Sequence, residues 1–562
     1  MKCDVAIVGG GPAGTTLGTL LKKYDPELDV AIFERERFPR EHVGESLLPM
    51  VPRILNEMGV WEKVEAAGFP IKLGGVYRWG KMASQDLFYF RFLGGEPFED
   101  LPRPGKFEGQ RTTTTFQVDR SVYDKILLDH AAEAGCQIFQ EAKVNSITHS
   151  NDHIMGFDVV MPSGLEDHVH ARYYVDASGS ESLFRKTMGI GIQAPTSLRN
   201  IAIWDYWQNA DWAEKHGNGT FIYVLSIGDG WLWFIPISAT RTSIGFVTSA
   251  DYFKRRGLST EALYLEAVSR EPLIREMTEK AAREGKLQAT KDWSFISDRL
   301  YGNNWYLVGD AAGFADPILS AGLTLAQSSA RRVAFTILEE QRGEVDGGWL
   351  KEQYQRVQKR NTLNHIRFAD YWYSANEQFT ELQEYCSQIA ANAGVTLDPQ
   401  AAFQWLSTGG FTDELAGVPL LGTYSLSDIK SFTGRFSGAS TAWKVLENNI
   451  FRLNVADADH DSLAHYVRGR VEKLECLKRG EKVWPLTLIY KAVYNSLKRE
   501  CEIQPLAEMF MFELQKEKIE ASRKTALLCL ETLESLVAEG WVAAHFDPSL
   551  PLLDVGGNEL TT

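Results

Sequence analysis

At 562 residues, 44% of them hydrophobic, 24% charged and 11% aromatic, the chain is long enough for two or three globular domains with well-buried cores. A net charge of −15 argues against a nucleic-acid partner, which needs clustered Lys and Arg to neutralise phosphates. No run of about twenty apolar residues is available to span a bilayer. Met1-Lys2-Cys3-Asp4 leads straight into a strand-like segment, which predicts no signal peptide. Six cysteines, none in a C-x-x-C pair, predict reduced cytoplasmic thiols and no metal site.

In chain order, Val5-Ala6-Ile7-Val8 predicts a strand, Gly9-Gly10-Gly11-Pro12-Ala13-Gly14 a tight loop, and the stretch to about Tyr24 a helix. A second strand, Val30-Ala31-Ile32-Phe33, ends at Glu34. This is a βαβ unit with its glycine turn in place. Gly9 permits the turn, Gly11 lets a pyrophosphate approach the backbone, and Gly14 lets helix and strand pack closely. Pro12 and Ala13 complete the loop at the helix N-terminus, whose free N–H groups suit that pyrophosphate. Glu34, twenty residues after Gly14, stands where a carboxylate accepts hydrogen bonds from a ribose diol. Strand, helix and acid together set this loop apart from a merely glycine-rich turn.

Helical patterns follow at 47–58 and 120–134. Strand-like runs recur at 75–79, 87–92, 201–207, 220–227, 231–237 and 242–248. That alternation predicts a nucleotide domain interleaved with a substrate-covering sheet. After about Arg342 the character changes: residues 343–348 read as a linker and the remainder as mainly helical. Within 526–539, Leu527, Leu530, Leu533, Leu536 and Val537 fall at helical spacing, and Gly540 is placed to end the helix.

Three further segments choose the nucleotide. Asp176-Ala177-Ser178-Gly179 follows a strand, Trp305-Tyr306-Leu307-Val308 runs into Gly309-Asp310-Ala311-Ala312, and Phe116-Gln117-Val118-Asp119-Arg120 opens a helix. Taken singly, Asp310 reads as a helix cap and Arg120 as a surface charge. Together they resemble the recurring motifs of the FAD-dependent monooxygenase superfamily over most of residues 1–340. The resemblance implies FAD rather than NAD. It implies Gly309 and Asp310 at the ribityl chain, Arg120 near the flavin and Gln117 as a second contact.

Within that superfamily the chain resembles flavin-dependent halogenases at four places. Trp231-Leu232-Trp233-Phe234-Ile235-Pro236 matches their W-x-W-x-I-P signature, and on a strand Trp231 and Trp233 share one face. In the family such a wall keeps substrate away from the flavin; alone it reads as an aromatic core strand. Gly44-Glu45-Ser46 precedes Lys72, which lies in the apolar stretch Phe69-Pro70-Ile71-Lys72-Leu73. Lysine is seldom buried without a purpose, and the resemblance makes Lys72 the functional lysine and Gly44 and Ser46 flavin contacts. Asp316-Pro317-Ile318-Leu319-Ser320-Ala321-Gly322 precedes a helix-like run, and the resemblance puts a halide on the amides of Ala321 and Gly322. The fourth place is the large C-terminal region, similar to that of halogenases acting on natural-product intermediates. Its aromatic group Phe368, Tyr371, Trp372, Tyr373 and Phe379 suits a substrate passage or, more simply, a helix–helix core. Asp292, in Lys291-Asp292-Trp293, matches a segment through which some such halogenases attach FAD.

The fold expected is therefore α/β. A Rossmann-like FAD-binding core over 1–342 interleaves with a mixed, largely antiparallel substrate sheet (about 70–110 and 196–290), and a mostly helical domain follows over 349–562. The activity implied is halogenation of an electron-rich aromatic in secondary metabolism. FAD arrives reduced from a separate flavin reductase, since no second glycine-rich nucleotide fold is visible, and chloride or bromide is consumed. Tryptophan halogenases carry a glutamate where this chain has Leu319, which turns the expectation toward a phenol or pyrrole, free or tethered to an acyl or peptidyl carrier protein. An aromatic hydroxylase, a geranylgeranyl-reductase-like flavoprotein and a non-catalytic flavin-binding protein remain the alternatives.

Overall fold

The N-terminal apolar run forms the strand Lys2–Val8 in a computed structural model that describes residues 1–78, 87–93, 96–196, 199–291, 294–374, 443–480 and 482–553. Val5, Ala6 and Ile7 are wholly buried there, as a parallel strand covered on both faces requires. The helix Pro12–Tyr24 starts with proline at its first turn, where a missing N–H costs nothing. Around Lys2–Val8 the sheet runs in the order Gln137–Phe139, Val30–Phe33, Lys2–Val8, Glu166–Asp176, His153–Val160, Lys143–Ser150. Trp305–Leu307 also joins Glu166–Asp176, in parallel. The nucleotide half is parallel and the far edge an antiparallel meander.

A second, nine-stranded sheet is built from the interleaved segments. Its centre is Asn200–Gln208, Arg241–Ser249, Trp231–Pro236, Gly219–Ser226 and Ile71–Arg78, in that order. Ile71–Arg78 begins four residues earlier than the strand pattern at 75–79 predicts, so Lys72 lies inside the sheet. The helix expected over 47–58 is Met50–Met58, because the Leu47 N–H is taken by the Phe116 carbonyl at 3.1 Å.

The described residues fall into two units. The first continues through Ala369 and includes Tyr466–Val471; the second is built, among the described residues, from 370–374, 443–465, 472–480 and 482–553. In the second, the helices Leu488–Leu497, Ile503–Lys516 and Arg523–Ala538 enclose Trp484, Phe510, Leu533 and Trp541. Ser522 and Thr525 form a capping box on the last helix, and Gly540 follows it at φ +78. The strands Ile450–Leu453 and Val542–His545 pair beside them. Among the described residues no helix is long and apolar enough to cross a membrane, and no group of three His, Cys, Asp or Glu side chains is arranged to hold a metal.

One buried carboxylate in the first unit has a clear task. Glu65, 1% exposed, accepts from Arg103 Nε at 2.9 Å and Arg111 Nε at 2.8 Å, tying the short helix Trp61–Ala66 to the chain beyond. Removing one partner of a buried pair leaves the others desolvated without compensation. Glu65→Ala is expected to lower stability by about 3 kcal/mol in urea unfolding. A change near zero would show that both guanidinium groups find other partners.

Candidate active site

The glycine loop is shaped by backbone contact. Gly9 has φ +111, and a Cβ on it would meet the Ala177 carbonyl oxygen at 2.2 Å. A Cβ on Gly14 would lie 2.0 Å from the Gly9 carbonyl oxygen. Only glycine lets the helix come this close to the strand. Glu34, 5% exposed, spans the turn by accepting from the Gly10 N–H at 2.7 Å and the Glu36 N–H at 2.9 Å. Gly309, at φ +60, presents its Cα face to Ala13 and donates its N–H to Ser329 Oγ at 2.8 Å. Asp310 keeps part of its surface accessible, yet the protein around it pushes its carboxyl up to about 6, with Arg120 pulling the other way.

Residues 45–47, 116–118 and 70–72 lie side by side. Val118 N–H donates to Glu45 O at 2.7 Å, Leu47 N–H to Phe116 O at 3.1 Å, and Gln117 N–H to Pro70 O at 2.9 Å. Ser46 forms a bridge with Gln117. Gly44 sits at φ +99, a turn that side chains resist. Arg120 is 5% exposed and fully engaged: it grips Asp124 at 2.7 and 2.9 Å and donates to the Val43 carbonyl at 2.8 Å. Arg120 therefore holds the Gly44 loop in place.

Whether these residues fit a flavin is tested by the polar atoms that the protein leaves without partners. Buried polar groups are normally hydrogen-bonded. Ser46 Oγ, both amide atoms of Gln117, Thr115 Oγ1 and Trp204 Nε1 are buried with no partner among the described residues. Ser46 and Gln117 face one another, beside the loop that Arg120 holds, and suit the carbonyl and N–H edge of a flavin ring. Among the described residues the N–H groups of Ala321 and Gly322, at the start of the helix Gly322–Arg342, donate to no protein acceptor. They suit a small anion. The residues fit FAD and a halide.

Lys72 is 2% exposed; its Nζ donates to the Leu47 carbonyl at 3.0 Å and lies 5.5 Å from the centre of the Phe92 ring. Burial alone pushes its ammonium down to about 7. On the substrate sheet every residue of Trp231–Pro236 is buried. Trp231 and Trp233 lie 5.9 Å apart on one face, and Trp233 Nε1 donates to Ser243 Oγ at 3.1 Å. Trp233 covers Gly245, where a Cβ would meet its ring at 2.1 Å.

The family model described as an FAD binding domain matches residues 2–365. The 1H-pyrrole-2-carbonyl peptidyl-carrier-protein chlorinase of Pseudomonas fluorescens is 31% identical over 387 residues, 67% of this chain and 85% of that protein. The chain belongs to the flavin-dependent halogenases. The tryptophan 2-halogenase of Chondromyces crocatus is 32% identical to this halogenase over 376 residues, 66% of the chain and 68% of that protein. Among solved structures, the myxobacterial chondrochloren halogenase CndH matches with a TM-score of 0.60 at 29% identity, over 70% of this chain and 90% of that one. The flavin-dependent halogenase CmlS matches with a TM-score of 0.73 over 99% of this chain and 98% of that one. At 24% identity, that second likeness establishes the fold, including its C-terminal part.

Sequence reasoning missed three residues of this halogenase's candidate site. Arg40 places its guanidinium 3.4 Å from where a Cβ on Gly11 would stand, at the mouth of the phosphate loop. Trp204 packs on Trp233 with ring centres 6.4 Å apart. Tyr206, two residues on and therefore on the same face, donates its hydroxyl to Glu45 at 3.1 Å. Period-two alternation through 201–207 carries the signal for the last two. Asp292 lies outside the described residues. So does Phe379, and of its aromatic group Tyr373 has a described side chain, which is buried.

Two measurements test this geometry. Gln117→Leu keeps the volume but removes the unpartnered amide. The flavin-free protein is expected to be at least as stable as wild type in thermal unfolding, while FAD binds about tenfold more weakly in fluorescence titration. Unchanged FAD affinity would take Gln117 out of the site. For Lys72, the folded amine gives up its proton near pH 7 and the unfolded one near its ordinary value. Between those limits the unfolded chain binds more protons, so the destabilisation from this residue is full below about pH 7 and fades as pH rises toward about 10. Lys72→Met is expected to be more stable than wild type at pH 6, by a margin that shrinks as pH rises in urea unfolding. A margin independent of pH would show that Lys72 titrates normally.

Proposed function

We propose that this halogenase places chlorine or bromine on a phenol or pyrrole presented by an acyl or peptidyl carrier protein, and that Lys72 hands the halogen over. When bound, FAD, supplied reduced by a separate flavin reductase, yields a hypohalous acid from oxygen and halide. The chain's own residues do the rest. The loop from Gly9 through Gly11, Pro12 and Ala13 to Gly14, with Glu34, Gly44, Ser46, Gln117, Gly309 and Asp310, holds and orients the cofactor; Arg120 steadies the Gly44 loop. The amides of Ala321 and Gly322 hold the halide, and Trp231 and Trp233 keep the aromatic ring apart from the flavin. Lys72 hydrogen-bonds the oxidant through its oxygen, which polarises the halogen toward the ring.

The observation that carries this reading is the burial of Lys72 with, among the described residues, a single carbonyl partner, Leu47. A buried ammonium with one hydrogen bond has two donors left for a small oxygen species. The carrier-bound pyrrole is supported by the name of the Pseudomonas fluorescens relative. A cytoplasmic setting is supported by Cys3, Cys136, Cys476, Cys501 and Cys529, all free thiols.

The test is mass spectrometry of products from pyrrole, phenol and indole substrates, each free and carrier-tethered, with halide, oxygen and a flavin reductase. Halogenated pyrrole or phenol on the carrier is expected, and no product without the reductase or the halide. Lys72→Ala is expected to lose at least about a hundredfold in product while still binding FAD and consuming oxygen. Hydroxylated products, product from free substrates alone, or product from Lys72→Ala near wild type would overturn the reading.

A further inference from the structure

Lys72 has a neighbour with no task so far. In the pairing of Ile71–Arg78 with Thr115–Phe116, Lys72 stands directly opposite Thr115. Directly opposed residues of an antiparallel pair send their side chains to the same face, with Cβ atoms about 5 Å apart. Thr115 is 1% exposed, and its hydroxyl has no hydrogen-bond partner among the described residues. A hydroxyl buried in that way is destabilising unless something else fills the bond. Local satisfaction is the usual fate of threonines in this stretch. Thr112, Thr113 and Thr114 all donate to nearby carbonyls, at 2.7, 3.0 and 2.9 Å. Thr115 departs from its neighbours at the position of its strand that is opposite Lys72.

The orphan atoms form a row. Gln117, two residues on, carries an unpartnered amide, and Ser46, bridged to Gln117, an unpartnered hydroxyl. They lead along one hydrogen-bonded ribbon from the proposed flavin contacts to Thr115 and Lys72. On the other side, Thr220 is opposite Lys72 in the parallel pairing, but its hydroxyl is spoken for by the Glu214 carbonyl at 3.4 Å. Among the described residues, Thr115 thus has the unpartnered hydroxyl opposite the buried amine.

We infer that Thr115 is a second catalytic residue, which holds hypohalous acid jointly with Lys72. This rests on Lys72 having the role proposed above. Hypohalous acid has one O–H donor and an oxygen that accepts. The Lys72 ammonium donates to that oxygen, and Thr115 Oγ1 accepts the O–H, so two bonds fix the direction of the halogen. On transfer the carbon–halogen bond forms as the oxygen–halogen bond breaks. The departing hydroxide takes a proton from the Lys72 ammonium and leaves as water. The ring then loses its proton, which restores the ammonium. The sum is ring C–H plus hypohalous acid giving ring C–halogen plus water, with no further oxidant. A lysine alone would leave the acid free to rotate about its single contact.

The experiment compares Thr115→Val, Thr115→Ser and Lys72→Met as FAD-loaded proteins with reductase, chloride and the substrate found active. It measures halogenated product per oxygen consumed, with monochlorodimedone present to trap hypochlorous acid that escapes. Thr115→Val, which keeps shape and loses the hydroxyl, is expected to make about tenfold less product per oxygen, with the missing oxidant recovered on the trap. Thr115→Ser is expected to restore the ratio. FAD content, read from the flavin absorbance, should be the same in all. If Lys72→Met abolishes product and Thr115→Val couples like wild type, this inference is overturned and the role of Lys72 stands. If Lys72→Met itself halogenates, both fall. Loss of FAD or of folding in Thr115→Val, or failure of serine to rescue, would make the hydroxyl structural and overturn the inference as well.

Discussion

The hydrogen bonds among residues 45–47, 116–118 and 70–72 are the constraint on which the site depends. Each segment belongs to a different part of the chain. The first follows the nucleotide βαβ unit, the second opens the helix Arg120–Glu133, and the third begins the substrate sheet. Their backbones share one ribbon through Val118–Glu45, Leu47–Phe116 and Gln117–Pro70, and Lys72 closes it on the Leu47 carbonyl. The Ser46 and Gln117 side chains and the Lys72 amine are therefore placed by the same frame. On the proposed function, an oxidant made at one end meets a receiving group whose distance is fixed by sheet geometry rather than by a mobile loop. The frame is also tied sideways. Glu45 accepts from Tyr206, whose ring lies 3.9 Å from the Arg241 guanidinium, and Arg241 in turn binds Asp119, Glu41 and Glu284.

Two cations are buried here, and the protein treats them oppositely. Arg120 has a carboxylate bound through two nitrogens and a backbone carbonyl on the third, which is how a buried charge is made tolerable. Lys72 has one carbonyl and an aromatic face. Its proton affinity falls accordingly, toward about 7, where ammonium and amine coexist at neutral pH. A residue kept in that state destabilises the fold, and such departures are expected where function requires them. The contrast separates a charge that organises the loop from one left with hydrogen-bonding capacity unspent.

Local chemistry was legible in the sequence; long-range register was not. The glycine loop could be read because turn, phosphate approach and helix packing each demand glycine at a fixed offset, and the 2.0 and 2.2 Å approaches at Gly14 and Gly9 show why. The shared face of Trp231 and Trp233 follows from strand periodicity alone. The start of the strand at Ile71 does not, because Pro70 and Ile71 acquire their pairing from Gln117 and Phe116 far along the chain. The late start of the helix Met50–Met58 has the same origin in the Leu47–Phe116 bond. Likewise nothing near Thr115, Trp204 or Arg40 in sequence announces Lys72, Trp233 or Gly11 as its neighbour. In the C-terminal unit, leucine spacing revealed the helix Arg523–Ala538, whereas the short strands Ile450–Leu453 and Val542–His545 carry too little pattern to stand out.

The two sheets divide the chemistry between them. A nucleotide sheet of this topology suits FAD in any member of the wider fold, so it does not by itself choose between inserting oxygen and inserting halogen. On the function proposed above, that choice falls to the face of the second sheet. There Gly245 leaves room for the Trp233 ring, which Trp231 and Trp204 extend into a continuous apolar wall. A hydroxylase needs its ring within bonding distance of the flavin, and such a wall works against that approach. A halogenase needs a diffusible oxidant instead, together with a polar group to receive it away from the flavin. The bulge that shifts the register of Ile71–Arg78 against Gly219–Ser226 falls just after Lys72, between its pairing with Thr220 and that of Gly74 with Phe221. In the mechanism proposed above, wall and buried amine answer one requirement: the one keeps the ring from the flavin and the other receives the oxidant.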